Sequence, residues 1–185
     1  MKKKHLFNSA VINAVLIALI IIFISSPLAS SQSWKGDYDF VGKFSENLAR
    51  AKSDDKWGFV DKEGDIVITF EYDAASDFKN GAAKVKLNDK FGFVDKTGKK
   101  IVRIDYDDVY DFKEGVARVK KNNKFGFVDK TGKVVIPLNY DFANDFSGGM
   151  ARVRLKDEEI YIDKDGNQLE VEYDDEEDWY DEEEE

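Results

Sequence analysis

The sequence predicts an all-β fold: a tandem array of four antiparallel repeats of about 34 residues, each a β-hairpin with a third strand. Three observations predict it. One motif recurs at a fixed interval, the segments around it alternate apolar with polar residues, and no part of the body keeps the 3.6-residue period of a helix. A single unit of this size cannot bury a core alone, so neighbouring units must share one, either as a solenoid or as a curled, barrel-like sheet.

The composition indicates a folded body without cysteine chemistry. The chain of 185 residues is 42% hydrophobic and 14% aromatic, which supplies enough apolar surface for one domain or one short repeat array. It has no cysteine, and its single histidine is His5. A disulfide framework, a thiolate nucleophile and a zinc-thiolate site are therefore excluded.

Residues 1–31 have the pattern of a signal peptide. Lys2 to Lys4 form a basic start, an apolar run extends from Ala14 to Ile24, and the small residues Ala29 and Ser31 suit a cleavage site. The strict apolar run is shorter than the roughly 20 residues that span a bilayer. We expect export to an extracytoplasmic location: secreted, periplasmic or on the cell surface. The alternative is an uncleaved amino-terminal anchor, the only case in which we expect a membrane contact.

The repeat unit carries the motif aromatic-Gly-Phe-Val-Asp-Lys-x-Gly. Its copies begin 34 residues apart, at Trp57-Gly58, Phe91-Gly92 and Phe125-Gly126, and a degraded copy spans 159–166. A Tyr and a Phe six residues apart recur at the same interval, which places the units near residues 38, 72, 106 and 140. The repeat domain is predicted to span residues 32–171. Tyr173 and Trp179 resemble the stub of a fifth unit, shifted by one residue.

The motif and the segment after it predict a hairpin. Trp57 and Phe59 share one face of the first strand, and Val60 lies on the other face. The polar Asp-Lys-x-Gly turn that follows provides a Gly able to adopt positive φ. Pro137 in a later second strand cannot donate a ladder hydrogen bond, so it should lie at an edge or a strand end. One column of the second strand should face the core: Ile68, Val102 and Ile136.

The third strand alternates small apolar residues with basic ones. Its apolar positions, such as Ala83 and Val85, are expected to face the core. The basic positions face the other way and form a column that Arg50 and Lys52 begin. Regular spacing of this kind suits an anionic polymer. We therefore treat the rest of the column as candidate ligand-facing residues: Lys84, Lys86, Arg118, Lys120, Arg152 and Arg154.

The aromatic-Gly pair, the Phe-Val-Asp-Lys-x-Gly continuation and the downstream Gly-x-Ala-x-Val strand resemble the bacterial WG-repeat (KWG) family. The resemblance covers Tyr38 to about Val171. It implies a β-rich array of the kind frequent in exported or surface-attached bacterial proteins, and it implies no particular activity. Only Trp57 provides the namesake Trp; two copies have Phe there, and the last has Glu159.

The aromatic residues have two interpretations. Rings at regular intervals could stack on a polysaccharide, but an aromatic beside a Gly in a strand ordinarily fills a β core. We therefore assign a structural role to the pairs Trp57 and Gly58, Phe91 and Gly92, and Phe125 and Gly126. Four tyrosines precede an Asp in a polar loop and could place their hydroxyls at the surface, so they remain candidate ligand-facing residues: Tyr38, Tyr72, Tyr106 and Tyr140.

The acidic residues are as periodic as the basic ones. Two series recur in register: Asp61, Asp95, Asp129 and Asp163, and Asp77, Asp111 and Asp145. We expect them to pair with the basic column across strands, and each exposed pair contributes only about 0.2 to 1 kcal/mol. Nucleic acid is not an expected partner, because the net charge is −10, export is predicted and no nucleic-acid motif is present.

No metal, cofactor or catalytic site is predicted. Asp163 to Asn167 begins like a calcium loop, but Gln168 occupies the sharp-turn glycine position, so a hairpin turn is expected there. Carboxylates are the residues available for hydrolysis, yet they repeat in equivalent positions, whereas an active site needs a unique constellation. A carboxylate-dependent hydrolase of an extracellular polymer remains an alternative.

The predicted function is an exported module that binds or scaffolds a partner of the cell envelope or outside the cell, either a protein or a polysaccharide. A purely structural spacer is a further alternative. Residues 170–185 include twelve acidic residues and no basic one, so residues 172–185 are predicted to form a disordered acidic tail. The tail would provide solubility, or it would attract cations and basic partners.

Overall fold

The computed structural model describes residues 33–170. The predicted leader, residues 1–31, and the predicted acidic tail, residues 172–185, lie outside the described residues. A short 3₁₀ helix, Ser33–Asp37, precedes sixteen strands, and residues 33–170 contain no α-helix. Within this range, no helix has the length and hydropathy to cross a membrane.

The strands form four separate antiparallel sheets, each with its four strands side by side in chain order. Sheet 1 contains β1 (Phe40–Val41), β2 (Ala49–Ser53), β3 (Lys56–Val60) and β4 (Ile66–Tyr72). Sheet 2 contains β5 (Ala74–Ala75), β6 (Ala82–Leu87), β7 (Lys90–Asp95) and β8 (Lys100–Tyr106).

The next two sheets repeat this plan. Sheet 3 contains β9 (Asp108–Val109), β10 (Val116–Lys121), β11 (Lys124–Asp129) and β12 (Val134–Tyr140). Sheet 4 contains β13 (Phe142–Ala143), β14 (Ala151–Leu155), β15 (Glu158–Ile162) and β16 (Gln168–Leu169). The predicted all-β array of four repeats is therefore confirmed.

Each unit has four strands, not the three that the sequence predicted. The additional strand is a two-residue segment in the Tyr-Asp loop, such as β5, which pairs Ala74 with Lys86 and Ala75 with Val85. Two residues are too few to show an alternating pattern, which is why the sequence did not reveal them.

The predicted third strand of one copy and the first strand of the next copy form one hairpin. In sheet 2, Leu87 pairs with Lys90, so only two residues separate β6 from β7. Both turn residues have positive φ, as a type I′ turn requires. The equivalent turns of the four units are Asp54 with Asp55, Asn88 with Asp89, Asn122 with Asn123, and Lys156 with Asp157.

A bulge lies where the first three hairpins carry their aromatic-Gly pair. In sheet 2, Phe91 pairs with Tyr106 and Phe93 pairs with Val102, so four residues of β8 span the same length as two residues of β7. The bulge brings the backbone of β8 over Gly92. Pro137 lies in β12, an edge strand of sheet 3, which agrees with the prediction from its missing N–H.

The hydrophobic core lies between consecutive sheets. Sheets 1 and 2 share a cluster that includes Phe59, Ile68, Phe78 and Val85. Sheets 2 and 3 share an equivalent cluster with Phe93 and Val119, and sheets 3 and 4 share a third. Sheets 2 and 3 are thus buried on both faces. Their strands carry consecutive apolar residues for this reason.

The amino-terminal segment covers the outer face of sheet 1. Trp34, Tyr38 and Phe44 pack against Ala49, Ala51 and Val60. The Tyr38 hydroxyl donates a hydrogen bond to the carbonyl of Gly64, at 2.9 Å. No described core cluster joins sheet 1 to sheet 4, and none of the sheets is closed. Of the two predicted arrangements, the open stack is the one that forms.

Candidate functional site

The basic column lies on the second strand of each sheet, on the face directed towards the next unit. Alternation along β6 places Ala83 and Val85 in the core with sheet 1 and leaves Lys84 and Lys86 half-buried on the opposite face. Because each following sheet is built in the same way, the column runs the length of the stack. Arg154, in sheet 4, is exposed.

Aromatic rings lie beneath these basic side chains. The Arg50 guanidinium lies 5.3 Å from the centre of the Trp57 ring, and the Lys84 ammonium lies 4.5 Å from the centre of Phe91. In sheet 3 the Arg118 guanidinium lies 3.8 Å from the centre of Tyr110. Such cation–π contacts are worth about 0.5 to 1 kcal/mol at exposed sites. They hold the basic groups against the rings.

We call this surface the basic–aromatic stripe. Lys84 also lies 5.9 Å from the Tyr110 ring of the next unit, which connects sheets 2 and 3 along the stripe. Its basic residues are Arg50, Lys52, Lys84, Lys86, Arg118, Lys120, Arg152 and Arg154, and its aromatic residues are Phe40, Trp57, Phe91, Tyr110, Phe125 and Phe142.

A groove opens on the stripe between sheets 1 and 2. It has a volume of about 280 Å³ and is lined by Arg50, Lys84, Lys86, Phe91 and Ala74, among others. Two units contribute cationic groups to it, and one contributes the ring. The groove therefore offers an apolar floor with basic walls, which suits a ligand that carries both apolar faces and negative charge.

Part of the column is neutralised by the unit that follows. Arg50 lies 2.9 Å from the carboxylate of Asp77, and Lys84 lies 2.5 Å from that of Asp108. Arg118 lies 3.0 Å from Asp145 and is only 14% exposed. Pairing of the column with Asp77 and Asp145 agrees with the prediction. Asp111 pairs instead with Lys79, at 2.7 Å. Among the described residues, Lys120 and Arg154 form no ion pair.

The tyrosines divide into two groups. Tyr72 and Tyr106 are 1% and 4% exposed and belong to the core, which corrects their prediction as ligand-facing residues. Tyr72 and Tyr106 are the last residues of β4 and β8, the fourth strands of their sheets, and the next sheet covers their rings there. Tyr38 and Tyr140 are half-buried, and Tyr38 uses its hydroxyl within the fold. Burial raises the pKa of Tyr72, Tyr106 and Tyr140.

The two residues of the aromatic-Gly pair have different roles. The glycine allows the bulged strand to approach closely, and the ring forms part of the basic–aromatic stripe. A Cβ on Gly58, Gly92 or Gly126 would lie 2.5 to 2.6 Å from a carbonyl oxygen of the bulged strand. No side chain fits at that distance. Trp57, Phe91 and Phe125 are half-buried, with one part against the core and a basic side chain nearby.

The first acidic series stabilises turns. Asp95 accepts hydrogen bonds from the backbone N–H groups of Thr97 and Lys99, at 2.9 and 3.0 Å, and Asp61, Asp129 and Asp163 make the same pair of contacts in their own turns. The expectation that these four acids pair with the basic column is therefore wrong. Asp163 to Gly166 forms a hairpin turn, as predicted, and residues 33–170 contain no cluster of metal-ligating side chains.

A second acidic series, which the sequence analysis did not single out, connects consecutive units. Asp107 lies 2.5 Å from the Lys90 ammonium and accepts a hydrogen bond from the backbone N–H of Asn122, at 2.7 Å. Its equivalents Asp73 and Asp141 make the same contacts. The sequence contains a signal for these pairs, because an Asp follows each repeated Tyr and a Lys precedes each aromatic-Gly pair.

These carboxylates give the first prediction, a loss of stability in acid. Hydrogen bonds from Lys90 and from the Thr97 hydroxyl hold the pKa values of Asp107 and Asp95 below their usual range, and Asp73, Asp129, Asp141 and Asp163 are lowered in the same way. A lowered folded-state pKa stabilises the fold above the ordinary carboxyl pKa of about 4, and this stability is lost as pH falls through the folded values. We expect the melting temperature to fall progressively below about pH 4.

The measurement is thermal unfolding by circular dichroism from pH 7 to pH 2. Asp107→Asn with Asp141→Asn provides the control, because removal of two such groups should flatten the acid dependence while the acidic residues outside 33–170 are unchanged. A melting temperature that stays constant down to pH 2.5 would contradict the assignment of these carboxylates.

Two solved structures show distant similarity to the chain. The extracellular domain of a one-component system protein from B. thetaiotaomicron is 12% identical over 74% of this chain and 24% of its own, with a TM-score of 0.38. A plant lectin with two metal-binding sites from Cicer arietinum is 13% identical over 72% of this chain and 91% of its own, with a TM-score of 0.29. The chain spans about a quarter of the first of these. Neither score is high enough to carry a conclusion.

The repeat itself is matched by a known family. No curated protein matches the chain. The family model described as "WG containing repeat" matches four consecutive segments, residues 35–57, 57–91, 91–125 and 125–158, which meet at the aromatic residues of the three aromatic-Gly pairs. The four segments cover most of the described array, so the chain belongs to the WG-repeat family.

Proposed function

We propose that the array is an exported, non-catalytic binding module whose basic–aromatic stripe binds an acidic polysaccharide of the envelope or the extracellular space. The observation that carries the proposal is the repetition of the stripe. In the first three units, cationic side chains lie on a half-buried ring at 34-residue intervals, Trp57, Phe91 and Phe125, and in the fourth unit Arg152 and Arg154 lie beside Phe142, at a different position of the repeat. A polymer with negative charge at regular intervals would meet an equivalent contact at each unit.

The chemistry of the groove supports a charged sugar over a neutral one. Sugar rings stack on aromatic side chains through their apolar faces, and Phe91 provides such a surface. Lys84 and Lys86 beside it pair with Asp108 and Asp89, and a carboxylate or sulfate group of the ligand would share or replace these partners. An envelope protein is the competing partner, and the experiment below separates the two.

The carboxylates support binding without catalysis. A glycosidase needs a carboxylic acid that stays protonated near neutral pH, which requires a raised pKa. Among the described carboxyl groups with a shifted pKa, every shift is downward, because each accepts hydrogen bonds or pairs with a Lys. Export rests on the basic and apolar pattern of residues 1–31.

The second prediction tests the stripe with a double variant, Lys120→Gln with Arg154→Gln. Neither side chain forms an ion pair within residues 33–170, so the change removes charge from the stripe without breaking contacts between units. We expect about tenfold weaker binding of a polyuronate, since two exposed charge contacts contribute up to about 1 kcal/mol each. Affinity is measured by biolayer interferometry with the full chain, at low and at high salt, and binding should weaken with salt.

The matched control is Lys62→Gln with Lys130→Gln, which removes the same charge from exposed turns outside the stripe. Its affinity should equal that of the unchanged protein. Equal binding of neutral dextran and polyuronate would contradict the role of the basic groups. Capture of an envelope protein with no binding of any polysaccharide would favour the competing partner, and no binding at all would favour a spacer.

A further inference from the structure

Three contacts recur wherever one sheet packs on the next. The Phe of the Tyr-Asp-x-x-x-Asp-Phe loop stacks on the ring of the preceding hairpin, with ring centres of Phe146 and Phe127 at 4.8 Å. The second Asp of the loop pairs with a basic residue of the preceding unit: Asp145 with Arg118 and Asp77 with Arg50, both in the column, and Asp111 with Lys79, outside it. The two-residue strand of the loop contributes an apolar side chain, Ala143, to the shared cluster. Each loop therefore covers the outer face of the preceding sheet.

Sheet 4 presents the receiving half of this interface without a following loop among the described residues. Tyr161 occupies the position that Phe127 has one unit earlier, and Arg152 occupies that of Arg118. Met150 is 41% exposed, whereas its equivalent Val116 is 9% exposed. The outer face of sheet 4 thus combines an apolar surface with two basic side chains, Arg152 and Arg154.

The sequence that follows sheet 4 contains the missing loop. Tyr173-Asp174-x-x-x-Asp178-Trp179 reproduces Tyr140-Asp141-x-x-x-Asp145-Phe146 at an interval of 33 residues. The shorter interval accompanies a structural difference, because β15 and β16 pair in regular register and lack the bulge of the earlier hairpins. Only a few residues separate the end of β16, at Leu169, from Tyr173.

We propose that residues 173–179 dock on the outer face of sheet 4 and cap the array. Trp179 packs on Tyr161 and Met150, as Phe146 packs on Phe127, and Asp178 pairs with Arg152. Charge favours this occupant: the segment carries five acidic residues, and Arg152 occupies the position whose equivalent, Arg118, pairs with the loop Asp. Arg152 lies 3.2 Å from Glu159 in sheet 4 and exchanges or shares this partner on docking. The acidic run 181–185 remains outside the cap.

One difference from the internal interfaces sets the strength of the cap. Asp141 pairs with Lys124 of the preceding unit, but the residue equivalent to Lys124 in sheet 4 is Glu158. Asp174 therefore has no equivalent Lys partner and faces an acidic side chain instead. The cap depends on the Trp179 ring and the pair of Asp178 with Arg152.

The third prediction concerns Trp179→Ala in the full chain. We expect the melting temperature to fall by about 3 °C or more, because a buried ring is lost at the end of the stack. Tyr180→Ala is the matched control, since Tyr180 lies outside the repeated motif, and it should leave the melting temperature unchanged. Equal effects of the two variants would overturn the proposal.

A spectroscopic measurement locates the ring directly. In protein labelled with 5-fluorotryptophan, the fluorine resonance of Trp179 is identified by its absence in Trp179→Ala. We expect this resonance to lie away from the free amino-acid position and to shift in Met150→Ala and in Arg152→Gln. A Trp179 resonance at the free position, or one insensitive to both substitutions, would overturn the cap. A shift that depends on protein concentration would assign the face to a second copy and would also overturn it.

Discussion

Gly92→Ala is expected to lower the free energy of unfolding by about 2 to 3 kcal/mol, the upper part of the range of about 1 to 3 kcal/mol seen when a close-packed interior is overfilled. A Cβ at this position would lie 2.6 Å from the Val102 carbonyl oxygen and 2.7 Å from that of Arg103. Both atoms belong to the backbone of the bulged strand and cannot rotate away. An ordinary Gly in a strand gains about 0.5 to 1 kcal/mol on change to Ala, so the expected sign is reversed here.

Urea unfolding measures the effect, and Gly36→Ala is the control. Gly36 has no heavy atom within 4 Å of its Cβ position, so its substitution should change stability by about 0.5 kcal/mol or less. The slope of the transition should be the same in both variants, since the surface exposed on unfolding is unchanged. A Gly92→Ala protein as stable as the unchanged chain would mean that the bulge does not press on this residue.

The fourth unit shows what happens when the glycine is lost. Ile160 stands at the position of Gly58, Gly92 and Gly126, and its side chain packs against the last cluster. The strand beside it is the two-residue β16, in regular register, and no bulge passes over Ile160. The aromatic-Gly pair therefore occurs together with the bulge. The bulged strand, the fourth of its sheet in units 1 and 2 and the equivalent β12 in unit 3, ends at a buried or half-buried Tyr before the chain enters the next unit.

The sequence was sufficient for the repeat, the strand type and the turn glycines. A fixed interval of 34 residues defines equivalent positions whatever the structure, and a hairpin turn at Asp-Lys-x-Gly needs positive φ at Gly64, Gly98 and Gly132, which all have it. The column of Ile68, Val102 and Ile136 is buried as predicted. These features depend on local pattern alone.

The stacking of the sheets could not be predicted from the local sequence pattern. Alternation along β6 shows which residues share a face, but it does not show that both faces are covered. Ala82 and Lys84 share the face directed towards sheet 3, and a face that carries lysines looks solvent-exposed in the sequence although Ala82 is buried there. Burial of Tyr72 and Tyr106 follows from the same fact: the sheet that covers them comes from the next unit.

The candidate site was predicted in part. The basic column was predicted from its spacing, and the structure places its residues at equivalent positions of successive sheets. The rings beneath it were assigned to the core, since sequence cannot show that Phe91 is half-buried with Lys84 against it. The role of Asp107 and its equivalents was missed because it joins Lys90 to a turn fifteen residues away. Such contacts appear only in three dimensions.

Phe93→Ala is expected to cost about 3 to 5 kcal/mol, the usual cost of removing a buried aromatic ring. Phe93 is 3% exposed and its ring centre lies 5.0 Å from that of Phe112, in the cluster between sheets 2 and 3. In a stack whose units contact only their neighbours, stability is a sum of unit terms and interface terms. Loss of the central interface should therefore also divide unfolding into two transitions, one for sheets 1 and 2 and one for sheets 3 and 4.

Calorimetry and urea unfolding followed by fluorescence distinguish these outcomes. Phe40→Ala is the matched control, because it removes the same side chain from a position that is 44% exposed, and it should cost about 1 kcal/mol or less with a single transition. If Phe93→Ala unfolds in one transition with a loss no greater than that of Phe40→Ala, the interface between sheets 2 and 3 does not hold the array together. A large loss in one transition would mean that cooperativity extends beyond neighbouring sheets, because the remaining clusters would then unfold with the damaged one.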